Sequence, residues 1–310
     1  MKNIKYTKII ISFAAIMCLF VSSIIADDEA SGGKGGAFLR IPIGARSAGM
    51  GNAFTGVADD VNGPYFNPAG LAQITNSRIG GMYNFMSLDR QNYQATIIMG
   101  NERGGAVALT FTSFGVSDII ECEDGVPTGD KFDDTEMAIG LSAGAKILPI
   151  FSIGGTAKYI NHTLYDNKGS GFAFDAGTML LLNPLRIGAS ISNLGGKLTW
   201  DTDSENEDEI PTTLRAGASI LLPLATMDLL VAADISQTII DEEDAEGNFK
   251  LHLGAEGWMA GMLGFRAGLD GEDLNFGASI RLKDIRFDYA FCPDALDEGP
   301  THKLGVQIQF

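Results

Sequence analysis

The residues able to do chemistry are few and scattered. His162, His252 and His302 stand far apart, and no His-Glu-x-x-His pair, Cys-x-x-Cys pair or Walker-type glycine loop is present. Gly140-Leu-Ser-Ala-Gly144 has the spacing of a nucleophile elbow. That elbow needs a sharp strand-to-helix turn to expose its serine, and here it falls inside an alternating strand pattern. Gly-Ala-Ser-Ile recurs from Gly188, Gly217 and Gly277 without the second glycine of an elbow. Asn161-His-Thr163 matches a glycosylation sequon and carries little weight in a bacterial-type barrel. Paired acids such as Asp133-Asp134 could move protons, but in a loop they read as solvated charge. No catalytic set, resident metal cluster or cofactor motif emerges, so the chain is not expected to be an enzyme.

The charges point elsewhere. The chain holds 22 Lys and Arg against 39 Asp and Glu, a formal charge of −17. Lys2, Lys5 and Lys8 precede an apolar run over residues 9–25, and Ala26 is followed by Asp27, Asp28 and Glu29. This is the order of a secretory signal peptide cleaved after Ala26. Cys18 lies within the apolar run with no lipobox around it. Without the leader, 19 bases face 39 acids, a charge of −20. A nucleic-acid partner is excluded, because a polyanion is bound by clustered bases. Residues 118–134, 201–210, 240–247 and 292–301 hold 21 acids and one base, Lys131. Such segments keep a surface soluble by repulsion, and their hard carboxylates also suit divalent cations, though no EF-hand spacing is present.

Beyond residue 77 the chain alternates with period two. Leu304, Val306, Ile308 and Phe310 interleave with Lys303, Gly305, Gln307 and Gln309; Ile285, Phe287, Tyr289 and Phe291 interleave with Arg286, Asp288 and Ala290. Read backwards from there, strands fall near residues 77–88, 92–100, 104–116, 134–147, 151–163, 170–182, 185–200, 212–223, 227–239, 248–259, 263–270, 273–282, 285–291 and 302–310. Fourteen is even, as a bacterial barrel requires. Short connections such as Asn183-Pro184 and Lys283-Asp284 alternate with long acidic ones, with exceptions at residues 89–91 and 271–272. No apolar stretch after residue 26 is long enough for a membrane helix. A membrane-embedded chain must then close all its backbone hydrogen bonds in a barrel. The expectation is an all-β transmembrane antiparallel barrel in contact with outer-membrane lipid. Leu304, Val306, Ile308, Phe287, Tyr289, Phe276 and Ile280 should face that lipid. A soluble β-sandwich, the competing architecture, would not explain the loop rhythm.

Residues 27–76 differ. An acidic and glycine-rich lead is followed by small residues over 45–60 that suit a short helix or compact turn. Gly44-Ala-Arg-Ser-Ala-Gly-Met-Gly, Ala58-Asp-Asp and Asn67-Pro-Ala-Gly-Leu resemble the N-terminal signature of PorV/PorQ-type proteins, within the wider FadL superfamily of outer-membrane transporters. The resemblance covers about residues 37–73. It implies a hatch in the lumen carrying Arg46, Gly49, Gly51, Asp59, Asp60, Asn67, Pro68, Ala69 and Gly70. It also implies a lateral opening in the barrel wall. FadL-type members pass hydrophobic small molecules, whereas PorV-type members receive secreted protein cargo in type IX secretion. The organisation expected is signal peptide 1–26, lead and hatch 27–76, and barrel 77–310, in the cell outer membrane.

Two further expectations follow from register. Arg186, Arg266, Arg281 and Arg286 all point inward near one barrel end. Buried guanidinium groups need partners, so they should latch the hatch through Asp59, Asp60 and the carbonyls around Asn67-Pro68-Ala69, with Asp288 and Glu256 serving some of them. Cys122 and Cys292 both fall in external loops, where an oxidising envelope permits a disulfide; four strand steps between their strands weigh against it.

Overall fold

A computed structural model describes residues 34–123, 125–202, 207–239, 249–293 and 299–310. The segment expected to be a signal peptide and the centres of three acidic loops lie outside the described residues.

Fourteen antiparallel strands close into a barrel. They are β1 (Arg78–Phe85), β2 (Arg90–Asn101), β3 (Gly105–Glu123), β4 (Val126–Leu148), β5 (Phe151–Leu164), β6 (Asn167–Leu181) and β7 (Leu185–Trp200). They continue with β8 (Thr212–Pro223), β9 (Met227–Ile239), β10 (Phe249–Met259), β11 (Leu263–Asp270), β12 (Asp273–Leu282), β13 (Ile285–Pro293) and β14 (Pro300–Gln309). Each strand pairs with its sequence neighbour, and β1 closes on β14 with Gly81 opposite Val306. A three-residue strand, Glu207–Glu209, adds to β7 outside this ring.

Side-chain placement is that of a membrane barrel. On β13, Ile285, Phe287, Tyr289 and Phe291 are exposed, while Arg286, Asp288, Ala290 and Cys292 are buried. Phe276, Ile280, Leu304, Val306 and Ile308 are exposed as well, so the lipid-facing row expected from the sequence is observed. A soluble sandwich would bury those aromatics and leave the charges in water. Here the order is inverted, and only a lipid exterior makes that inversion stable.

The interior is filled by residues 34–76. A 3₁₀ turn (Ala37–Arg40) leads to α1 (Ala45–Gly49), α2 (Gly63–Phe66) and a second 3₁₀ turn (Pro68–Gln73). Small residues allow α1 to form against the wall, and Gly51, at φ 59°, turns the chain away after it. The Asn67 side chain caps the second 3₁₀ turn by accepting from the Ala69 N–H at 3.0 Å, with Pro68 in the first position, where a missing N–H costs nothing. Phe38, Ile43, Met50, Phe54, Phe66, Leu71 and Ile74 are fully buried. They pack on inward-facing wall residues: Phe54 and Phe66 near Leu230 and Ala232, and Leu71 and Ile74 on Ile98 and Ala106. Burial of each such side chain contributes about 1.5–3 kcal/mol, so much of the barrel's apolar core is this segment against the wall.

Two expectations are corrected. The strand pattern places residues 117–133 in a loop, but β3 and β4 continue through them as a two-stranded arm, with Ile119 opposite Phe132 and Cys122 opposite Pro127. Its acids face water on both sides, so no apolar alternation marked it as strand. Cys292 does not lie in an external loop and, as the strand separation implies, it does not pair with Cys122. Cys122 is exposed on the arm, whereas Cys292 is buried inside the barrel beside Ala45, Ala48 and Ala290.

Leu141 is 62% exposed in the middle of the apolar belt of β4. Leu141→Arg should cost about 2–4 kcal/mol, as arginine does near the bilayer midplane, in equilibrium unfolding from phospholipid vesicles. Val126→Arg on the arm should cost nothing measurable. Equal costs at the two positions would contradict the lipid-facing assignment.

Candidate functional site

The site is the charged contact between the N-terminal segment and one end of the barrel. Its centre is Arg46, presented by α1 and only 5% exposed. Its Nε and Nη2 donate to the two carboxylate oxygens of Glu256 on β10, at 2.8 and 2.7 Å, a bidentate fork. Its Nη1 donates to Asp59 at 2.5 Å and to Asp60 at 3.1 Å, both in the segment itself. These carboxylates reach further. Asp59 pairs with Arg186 of β7 at 3.1 Å, and Asp60 accepts from Arg286 of β13 at 2.8 Å. Glu256 accepts from Arg266 of β11 at 2.6 Å, and Arg286 also donates to Asp288 at 2.8 Å. Arg78 of β1 donates to the Asp59 carbonyl at 2.6 Å. Charges from five strands and the segment thus form one connected network.

Burial alone would raise the Asp59 carboxyl, but the Arg46 and Arg186 charges and the Arg46 hydrogen bond outweigh it and hold it at about 2. Burial likewise acts to neutralise Arg46, yet Asp59, Glu256 and Asp60 around it push its pKa well above the ordinary arginine value. Removing the hub, Arg46, leaves the buried carboxylate of Glu256 short of a partner, and breaking such a buried pair typically costs about 3–5 kcal/mol.

Backbone groups of the segment are tied to the wall as well. Asp234 of β9, 2% exposed, accepts the Phe54 and Thr55 N–H groups at 2.8 and 2.6 Å. Ser190 and Ser219 donate to the carbonyls of Phe66 and Gly56 at 2.6 and 2.8 Å, and Lys303 donates to that of Pro42 at 2.6 Å. Asp270 accepts from Asn52 at 2.6 Å, and Gln307 accepts the Val61 N–H at 3.1 Å. The irregular backbone finds inside the barrel the partners that water would otherwise supply.

Close approach depends on glycine. Gly49 faces Gly277, and a Cβ on Gly49 would meet the Gly277 Cα at 3.0 Å. Gly144 and Gly154 lie against Pro68, Gly177 and Gly188 against Asn67, and Gly254 and Gly268 against Met50. Gly70 is pressed on Ala58, and Ala69 packs with Ala58 and Met179. Asn67 donates to the Thr178 carbonyl at 3.0 Å and to the Thr55 carbonyl at 3.2 Å.

The nine segment residues singled out from the sequence all lie in this interior contact. Of the four wall arginines, Arg186 and Arg286 meet the segment's acids directly. Arg266 is one step removed, joined to Arg46 through Glu256. Arg281 does not join them; it stacks over the Trp258 ring at 4.1 Å, where the indole face offers it a partner. Sequence reasoning missed Arg46 as the hub, and missed Asp234, a lone acid in an apolar strand, which is the kind of residue that signals a buried acceptor.

Away from the Arg46 network, a cavity lies between the segment and β3–β6, with the Lys158–Asp175 ion pair and the hydroxyls of Thr112, Ser142 and Thr156 on its wall side. It is lined by Phe38, Leu39, Ile43 and Tyr65 on one side and by Thr110 and Ala138 among the wall residues.

No family model matches the chain, and no curated protein sequence does. Solved structures do share the fold. The CymD monoaromatic hydrocarbon channel aligns at TM-score 0.57 with 14% identity, over 87% of this chain and 98% of that one. The toluene transporter TodX of Pseudomonas putida aligns at TM-score 0.55 with 11% identity, over 86% of this chain and 96% of that one.

Two outcomes test the contact. Asp59 has its pKa depressed by the folded state, so its stabilisation is present above the unfolded value, about 3.9, and fades as pH falls toward about 2. Pepsin should therefore cleave residues 34–62 of the vesicle-embedded barrel increasingly as pH drops through that window; constant protection down to pH about 2 would contradict this. Asp234→Ala leaves two buried N–H groups without an acceptor, a cost of about 1–3 kcal/mol. It should speed amide exchange at Phe54 and Thr55 while β9 stays protected.

Proposed function

We propose that the chain is an outer-membrane channel for small hydrophobic molecules, exported by its signal peptide, with residues 34–76 as the hatch. The observation that carries this reading is the aromatic and aliphatic face that Phe38, Leu39, Ile43 and Tyr65 turn toward the cavity inside the barrel. A pore for hydrophilic solutes needs a wet, polar lumen. Here the side of the segment facing the cavity is apolar, and Arg46, Asp59 and Asp60 are gathered in the network at the barrel end. A hydrophobic solute gains by leaving water for that face. Movement of the segment away from the wall then opens the path, and the ion pairs set the cost of that movement. The fold shared with the two hydrocarbon channels supports this reading. Wall glycines let the segment seat closely without side-chain interlocking, which favours release and return.

A second reading, docking of secreted protein cargo, is favoured by the filled lumen and by the acidic arm of β3 and β4, which projects as an exposed surface. Uptake separates the two. Cells lacking their own hydrocarbon and fatty-acid channels, and carrying this protein, should accumulate radiolabelled toluene or long-chain fatty acid faster than cells with an empty vector. Asp59→Asn with Asp60→Asn should raise the rate further and admit small polar solutes. Uptake equal to the empty vector for both probes, together with a secreted protein crosslinked through Thr128 of the arm, would replace the channel with the docking reading.

A further inference from the structure

A second cluster lies toward the other end of β4 and β5, far from the Arg46 network. Glu136 and His162 are direct cross-strand partners, and Asp134 sits two residues along β4 on the same face. Their ligating atoms lie within 4.8 Å of one another. The face points inward, because the next pair along it, Ala138 and Ile160, packs against Phe38 and Leu39.

The hydrogen bonding here is incomplete in a specific way. Asp134 Oδ1 lies 2.7 Å from His162 Nε2 and accepts its proton. With the imidazole neutral and its proton on Nε2, Nδ1 presents a lone pair. Nδ1 is buried and has no hydrogen-bond partner. It faces the Glu136 Oε2 at 3.9 Å, too far for a hydrogen bond, and the Glu136 side chain is only 7% exposed. In that tautomer two acceptors face each other across a gap in a poorly solvated site, and a bound cation would relieve the contact. Two metal–ligand bonds of about 2.0–2.2 Å can span up to roughly 4.2 Å, and the gap lies within that reach. A carboxylate on the far nitrogen of a metal-bound histidine is also the usual second partner, orienting the ring and raising its basicity. Trp200, its ring centroid 4.9 Å from that of His162, closes one side of the site.

We infer that Glu136 and His162 Nδ1 bind one divalent transition ion of the Zn²⁺ class, with Asp134 orienting the histidine. The imidazole nitrogen selects such ions over Ca²⁺ and Mg²⁺, which prefer all-oxygen sites. Water completes the coordination sphere, since Asp134 and His162 remain partly exposed. The bound ion would join β4 to β5 between the lumen and the base of the acidic arm. This site is distinct from cation binding by the acidic loops themselves, which needs no histidine.

The test uses the tag-free, full-length barrel folded in detergent, with Zn²⁺ alone as the titrant in calorimetry. One Zn²⁺ per chain should bind, and a large excess of Ca²⁺ should not displace it. His162→Gln and Glu136→Gln should each abolish this binding, and Asp134→Asn should weaken it by about 10–100-fold. Because a variant could fail to fold, the unmodified protein loaded with one Cu²⁺ gives an independent reading: its electron paramagnetic resonance spectrum should show hyperfine coupling to a single imidazole nitrogen. No Zn²⁺ binding, displacement by Ca²⁺ at parity, retention in both ligand variants, or an all-oxygen Cu²⁺ spectrum would each overturn the assignment.

Discussion

Everything inside the barrel depends on a buried arginine answered by three carboxylates. Arg46 is shielded from water, and a lone guanidinium there would be prohibitive. Glu256 supplies the wall's share of the compensating charge; Asp59 and Asp60 supply the segment's own. Neither element can satisfy its charges alone. Without the segment, Glu256 and Arg286 lose partners; without the wall, Arg46 keeps only its neighbours Asp59 and Asp60. The interaction is less a source of net stability than a specification of position, because buried ion pairs repay their desolvation only when the geometry is complete. The segment's apolar side chains supply attraction, while the charges decide where the segment sits.

That division would suit the proposed hatch, which has to hold and also to release. Apolar contact is tolerant of sliding, and a wall of glycine offers little to interlock with. The hydrogen bonds within these charge pairs are strict in distance and angle, so a small displacement leaves several groups unpaired at once. An element held this way has a well-defined closed position. The irregular backbone inside the barrel is permitted for the same reason as in other membrane proteins, since N–H and C=O groups of the segment meet protein partners such as Asp234, Ser190 and Ser219.

The barrel was readable in the sequence because one-sided burial writes itself as alternation. β13 was placed at residues 285–291 and runs Ile285–Pro293; β7 was placed with its full extent. The arm of β3 and β4 was not readable, since strands solvated on both faces lose the alternating signal and 117–133 looks like any acidic loop. The pairing of Arg186 and Arg286 with Asp59 and Asp60 was legible from the rule that inward charges need partners. The hub was not. Arg46 and Glu256 are 210 residues apart, and nothing local marks either as the other's partner. Arg281 was misplaced for a related reason: register located it at the correct end but could not show that Trp258 would take it. His162 and Asp134 stand out in the sequence only as separate residues; their convergence with Glu136 is not legible there because the register joining β4 to β5 is what assembles them.

The central claim is that Arg46 and Glu256 act as one unit to hold the segment in the lumen. A double-mutant cycle with Arg46→Gln and Glu256→Gln tests it most directly, read as the opening free energy of residues 45–60 from amide exchange in the folded barrel. The account predicts that each single variant loosens the segment strongly and that the double variant loosens it no more than either alone, a coupling well above about 0.5 kcal/mol. Additive effects within that margin, with residues 45–60 still protected, would contradict it.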